Sequence, residues 1–161
     1  MKLKWAPLGE NGGHKTGQAL LAQLYREETG SELPPICRTE QGKPYFSQGD
    51  WHFSISHTNR HAFCCLSRQP IGIDAEEMDR AVDLRLIDRY LSESEQRRLA
   101  LFPDKNAAFL RLWVLKEALA KHTGRGVGNW LRETDFDPDD PRVICIDGCY
   151  VAILEGEYDG F

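Results

Sequence analysis

The 161 residues suit one domain, or two small halves sharing a core, and a hydrophobic content of 41% is enough to fill one. A formal net charge of −5 argues against a surface that binds nucleic acid throughout, so no nucleic-acid partner is expected. No apolar run approaches the roughly 18–20 residues that span a bilayer, and residues 1–7 hold no apolar stretch of signal-peptide length; a cytoplasmic protein without a membrane partner is expected. The cysteines Cys37, Cys64, Cys65, Cys145 and Cys149 form no C-x-x-C pair, and their odd number suits a reducing compartment, where they read as small hydrophobes.

In chain order, the glycine-containing stretch 9–13 is a polar entry, followed by His14-Lys15-Thr16 and a helical pattern. Leu20, Leu21, Leu24 and Tyr25 recur at helical spacing through about Glu28, with Gly30 as the stop. Pro34-Pro35 breaks the chain before a short extended piece at 36–38, and Gln41-Gly42-Lys43-Pro44 is a turn that displays a lysine. Trp51, Phe53 and Ile55 alternate with polar partners, which is a strand signature ending in the polar loop Ser56-His57-Thr58-Asn59-Arg60. A second strand over 62–67 and a turn at Arg68-Gln69-Pro70 lead into a third strand at Ile71, together suggesting an antiparallel meander. Helices are expected over 84–91 and, behind Ser92-Glu93-Ser94-Glu95, over 96–101; Asp104 caps a longer helix to about His122, ended by Gly124-Arg125-Gly126. Strands at 143–146 and 150–154 form a hairpin around Asp147-Gly148. Helix then strands, twice over, predicts an α+β fold of two similar halves meeting near Pro70, residues 1–70 and 71–161.

The stretch Ile71-Gly72-Ile73-Asp74-Ala75-Glu76 carries the chemistry. On a strand, i and i+2 share a face, so Asp74 and Glu76 stand close enough to share one cation. Trp113, Glu117 and Lys121 fall on one stripe of the long helix. Magnesium takes oxygen ligands, usually a few carboxylates with water and substrate phosphate, and Asp74, Glu76 and Glu117 supply that set if the helix packs across the strand. The bland alternatives are an acidic strand end and an exposed Glu117–Lys121 pair; a buried face around Leu112 and Trp113 counts against the second. Lys15, Lys43, His57 and Lys121 are candidate phosphate partners, each also readable as solvated surface or, for His57, as a structural hydrogen bonder. His14, His52, His61 and His122 carry no further reading, and Glu95 in a first helical turn is favoured by the helix dipole alone.

In this order, Gly42-Lys43-Pro44, Phe53-Ser54-Ile55-Ser56-His57, Ile71-Gly72-Ile73-Asp74-Ala75-Glu76 and Leu112-Trp113-Val114-Leu115-Lys116-Glu117-Ala118-Leu119-Ala120-Lys121 resemble the Sfp-type 4′-phosphopantetheinyl transferases over about residues 15–126. The resemblance implies transfer of the phosphopantetheine arm of coenzyme A to a serine of an acyl, peptidyl or polyketide carrier protein, releasing 3′,5′-ADP. It implies Asp74, Glu76 and Glu117 as magnesium ligands, Glu95 as the base for the serine proton, and Lys121 on the pyrophosphate. It places Ser56 and His57 at the nucleotide end, His57 towards the 3′-phosphate, with Lys43 near the adenine and Lys15 near the 3′-phosphate; Lys116 completes the expected cofactor-binding set. The family's two halves pack as a pseudo-dimer around CoA, so a monomer is expected, and Arg80, Arg85, Arg89, Arg97 and Arg98 are candidates for docking an acidic carrier. Only fourteen residues precede Lys15, fewer than the family usually carries, which implies a compact form. A carrier-binding module without turnover and a different magnesium-dependent phosphate enzyme, such as a hydrolase, are the rival readings.

Overall fold

Alternation of apolar and polar side chains builds the first of two sheets. In this computed structural model, which describes residues 1–10, 12–83 and 85–157, β1 (Lys2–Pro7), β4 (His52–His57) and β5 (His61–Ser67) pair antiparallel in the order β1-β5-β4. Between β1 and β4 lie helix α1 (Gly12–Thr29) and a two-stranded ribbon, β2 (Ile36–Arg38) with β3 (Pro44–Phe46), closed by the turn whose Gly42 has φ +89°. The second sheet has order β6-β8-β7, from β6 (Ile71–Glu77), β7 (Val143–Ile146) and β8 (Cys149–Glu155). Its helices are α2 (Arg85–Tyr90), α3 (Glu93–Leu101) and α4 (Lys105–Thr123), followed by a 3-10 turn at Asn129–Glu133. Each sheet has the same connectivity: a strand, a long helix, then a hairpin whose second strand pairs with the first strand. The mixed α+β class matches the expectation from sequence. Asn11 of the polar entry and Leu84, where the sequence starts a helix, lie outside the described residues.

Three layers of apolar contact stack these elements. Leu20, Leu21, Leu24 and Tyr25 of α1 cover Ala62, Cys64 and Leu66 on one face of the first sheet. Phe63 and Cys65, on the other face of β5, pack against Ile71, Ile73, Ala75, Cys149 and Val151 of the second sheet. The far face of that sheet, with Val143, Ala152 and Leu154, is covered by α4. The order is therefore helix, sheet, sheet, helix, and every residue of β5 is buried because both its faces are covered. Full burial of a side chain such as Phe63 or Leu66 contributes about 1.5–3 kcal/mol. Cys64 and Cys65 point to opposite layers, and all five cysteines are free thiols. Among the described residues no helix is long and apolar enough to cross a membrane.

Two expectations from sequence are corrected. The meander does not form: β5 already has β1 and β4 on its two edges, so β6 leaves the sheet and pairs with β8. The strand β1 is not among the expected elements, although Lys2-Leu3-Lys4-Trp5 alternates; its partner, β5, lies far along the chain. The helix caps follow the sequence. Asp104 accepts from the Ala107 N–H at 2.9 Å, and Gly124 ends α4 at φ +75°. Ser92 and Glu95 form a reciprocal capping box on α3.

The two sheets also meet edge to edge. β4 and β6 each lie at the rim of their own sheet, and serine hydroxyls of β4 receive the outward N–H groups of β6. Ile73 N donates to Ser54 Oγ at 3.1 Å and Ala75 N to Ser56 Oγ at 3.3 Å. On the other side of β6, Gly72 lies against the α4 backbone. A Cβ there would stand 2.1 Å from Ala118 O and 2.6 Å from His122 N, so only glycine lets helix and strand approach this closely. Gly72→Ala must push α4 off β6; we expect a loss of about 1–3 kcal/mol or more in urea unfolding, and an unchanged midpoint would show that the approach is not constrained.

Candidate active site between the two sheets

The register of β6 and the pitch of α4 decide which side chains meet. Gly72, Asp74 and Glu76 face α4, whereas Ile71, Ile73 and Ala75 face the inter-sheet core. Because α4 sits directly on Gly72, the stripe holding Glu117 and Lys121 comes down over Asp74. Lys121 Nζ donates to Asp74 Oδ1 at 2.7 Å and to Ser56 Oγ at 3.0 Å. Ser56 Oγ in turn donates to the same Asp74 oxygen at 2.8 Å.

A pocket of about 430 Å³ opens beside this cluster. Its walls come from α1 (His14, Gln18), the ribbon (Ile36, Arg38, Pro44), β4 (Phe53 and Ile55 to His57), β6 (Asp74 to Glu76) and α4 (Glu117, Lys121). A second cavity of about 530 Å³ shares His57 and Glu76, and a third of about 190 Å³ shares Glu117 and Lys121. The acids are unequally satisfied. Asp74 is 3% exposed, and its Oδ2 is buried without a hydrogen-bond partner among the described residues. Glu76 forms an ion pair with Arg80. Glu117 makes no hydrogen bond or ion pair among the described residues. Burial, and then the charge of Asp74, push its carboxyl up to about 7, while Lys121 and Arg80 act the other way.

Among the described residues no three His, Cys, Asp or Glu side chains stand arranged to hold a metal ion. Lys121 occupies one oxygen of Asp74, and Arg80 occupies Glu76. The donor set nevertheless fits a hard divalent cation. All three groups are carboxylates, Asp74 Oδ2 is buried with no partner among the described residues, and the burial and the Asp74 charge that raise Glu117 both penalise an anion that a bound cation would stabilise.

Of the residues singled out from sequence, the structure brings Ser56, His57, Asp74, Glu76, Glu117 and Lys121 to the first of these pockets. His57 is held close to the start of α1, where a Cβ on Gly13 would lie 2.4 Å from its ring. Lys43 lines the third cavity, and its ammonium caps the C-terminal end of α4 by donating to His122 O; burial lowers its pKa. Lys15 is exposed on α1 and does not line the pocket.

Glu95 and Lys116 do not line any of these cavities. Both side chains are 0% exposed and pair at 2.7 Å. Lys116 Nζ also donates to Leu131 O at 2.6 Å and to Thr134 O and Oγ1 at 2.9 Å. Glu95 accepts from Ser92 N at 2.7 Å and Phe136 N at 2.8 Å. Burial raises the Glu95 carboxyl and lowers the Lys116 ammonium, and each opposes the shift of the other.

The arginines expected to form a docking surface are largely engaged. Arg80 pairs with Glu76, Arg85 with Asp83 at 2.7 Å and Arg98 with Asp135 at 2.8 Å. Arg97 lies 3.9 Å from Glu93, and Arg89 sits over the Tyr90 ring. The sequence reading missed His14, Gln18 and Arg38 as pocket walls. The spacing of His14 and Gln18 was the available signal, since i and i+4 share a helix face.

Comparison with known proteins identifies the family. Residues 70–155, from β6 through β8, match the 4′-phosphopantetheinyl transferase superfamily. The chain is 38% identical over 91 residues to a 4′-phosphopantetheinyl transferase of Bacillus subtilis, covering 55% of this chain and 40% of that protein. It is 33% identical over 116 residues to 4′-phosphopantetheinyl transferase psf-1 of Bacillus pumilus, covering 69% and 49%. It is 32% identical over 130 residues to 4′-phosphopantetheinyl transferase AcpT of Salmonella typhi, covering 77% and 66%. The chain thus spans half or less of the length of the Bacillus relatives. The family match includes β6 and α4, which hold Asp74, Glu76, Glu117 and Lys121, and the chain belongs to the 4′-phosphopantetheinyl transferase superfamily.

Proposed function

We propose that the protein transfers the 4′-phosphopantetheine group of coenzyme A to a serine of an apo acyl, peptidyl or polyketide carrier protein, with magnesium, releasing 3′,5′-ADP. The observation that carries this reading is the convergence of three carboxylates and Lys121 on a pocket walled by both sheets. Family membership supports it. In the reaction the serine oxygen forms a bond to the phosphorus that bears the pantetheine, and the bond from that phosphorus to the departing 3′,5′-ADP breaks. Such transfer asks a protein chiefly for positioning and for neutralisation of phosphate charge.

In this reading Asp74, Glu76 and Glu117 hold the metal, which when bound neutralises diphosphate oxygens. Lys121 gives a second positive charge beside Asp74, and the nucleotide lies along the pocket towards His57 and α1. Lys43 reaches it from the adjoining cavity, while Lys15, exposed on α1, takes the 3′-phosphate role only as the resemblance implies. Residues 1–70 and 71–161 then act as two halves of one monomer, a pseudo-dimer sharing one site, in the cytoplasm.

Glu95 and Lys116 take a structural role in place of those the resemblance implies. A carboxylate with no exposed surface, and both oxygens bonded, has no route to an incoming serine. The serine proton then passes to an acceptor among the acids that line the pocket. Lys116→Met strands a buried charge on Glu95 and is expected to cost about 3–5 kcal/mol in urea unfolding. The pair Glu95→Gln with Lys116→Met is expected to recover most of that and to retain transfer. A folded double variant without transfer would return Glu95 to the chemistry.

The direct test is intact-mass spectrometry of an apo carrier protein incubated with this protein, CoA and magnesium. We expect a gain of one phosphopantetheine, abolished by EDTA and reduced by Glu117→Gln at least as much as loss of an outer partner of a metal ligand reduces activity, about 10–100-fold. Wild-type-like turnover in Glu117→Gln contradicts the metal assignment, and no gain across several carriers favours the module without turnover.

A further inference from the structure

Ser56 lies on β4 of the first sheet, while the acid it touches belongs to the second. The residue is 4% exposed. A serine hydroxyl has one proton to give and two lone pairs to receive. All three are taken. Ser56 Oγ donates to Asp74 Oδ1 at 2.8 Å and accepts from Lys121 Nζ at 3.0 Å and from Ala75 N at 3.3 Å. Nothing is left for a phosphate or ribose, so contact with the nucleotide is not what this hydroxyl is built for.

The same three bonds have a geometric effect. The β6 backbone fixes where the hydroxyl lies, and the hydroxyl fixes the rotation of the Asp74 carboxylate and the lateral position of the Lys121 ammonium. With Oδ1 held by both partners, Oδ2 is the oxygen left buried and, among the described residues, without one. An outer partner of this kind tunes a ligating carboxylate without touching the ion.

We propose that Ser56 is a positioning residue that orients Asp74 for the divalent cation and holds Lys121 beside it, rather than a contact to the nucleotide. This rests on the metal reading given under Proposed function. Its neighbour Ser54 differs: Ser54 Oγ accepts from Ile73 N at 3.1 Å and, among the described residues, makes no hydrogen bond to an acid of the site. Ser54 stitches the sheets, and Ser56 stitches them and sets the site.

The test measures Mn²⁺ binding by the protein alone, by electron paramagnetic resonance of the free ion, and CoA binding without metal by calorimetry. Ser56→Ala is expected to weaken Mn²⁺ by about tenfold, in the range for lost outer partners, and to weaken metal-free CoA binding, through the displaced Lys121, by clearly less than that. Ser56→Thr keeps the hydroxyl and is expected to restore Mn²⁺ binding. Should the alanine variant fail to fold, Ser56→Cys, close in shape but a weak donor, is expected to show the same loss. Unchanged Mn²⁺ affinity in a folded variant, with CoA weakened about tenfold, overturns the proposal and makes the hydroxyl a nucleotide contact. A wild-type protein that takes up no Mn²⁺ overturns the metal reading itself, and this role with it.

Discussion

Two strand edges with no strand partner on that side meet where β4 runs past β6, and the site depends on how they are satisfied. A buried N–H left unpaired costs about 1–3 kcal/mol, and a backbone ladder between the two sheets is absent. Ser54 and Ser56 supply hydroxyl oxygens instead. Side-chain capping holds the sheets beside each other without fusing them, which leaves room for a pocket along the seam. Polar contacts bridge the two sheets at the ends of the seam. Arg60 reaches Glu77 at 3.0 Å and His61 reaches Asp147 at 2.8 Å, while Glu155 at the other end receives Ser67 and the Met1 amine. Gly72 then sets the depth of α4 above the seam, and with it the height of Glu117 and Lys121 over Asp74.

Two acids of the same type are handled in opposite ways. Glu95 is sealed, with its charge matched by Lys116 and its oxygens bonded to two backbone N–H groups. Glu117 is partly buried beside another carboxylate and has no hydrogen-bond partner among the described residues. The first arrangement is what a buried charge needs in order to serve as scaffold, and it ties α3, α4 and the 129–136 segment together. The second is unfavourable without a positive ligand, which marks it as a place where something binds.

What was legible from sequence was mainly local. Asp104, Gly124, the Ser92–Glu95 capping box and the Asp147-Gly148 turn are written in neighbouring residues, and the elements they bound stand close to where the sequence put them. The spacing of Asp74 and Glu76, and of Glu117 and Lys121, fixes a shared face for each pair whatever the tertiary structure. Pairing between distant strands was not legible. Nothing near Ile71 says that β6 joins β8 rather than β5, because that depends on β1 having filled the other edge of β5. Helix phase gave a partial warning about Lys116, which is next to Glu117 in sequence but turned well away from it on α4. A similar one-residue step separates His14, on the pocket wall, from Lys15, which is off it.

The most direct test of this account is a crystal structure grown with CoA and Mn²⁺, with anomalous diffraction recorded at the manganese edge. The account predicts one anomalous peak among Asp74, Glu76 and Glu117, with Lys121 against the CoA diphosphate and Ser56 still bonded to Asp74. CoA bound in the pocket with manganese elsewhere, or Glu117 turned away from the ion, would contradict it.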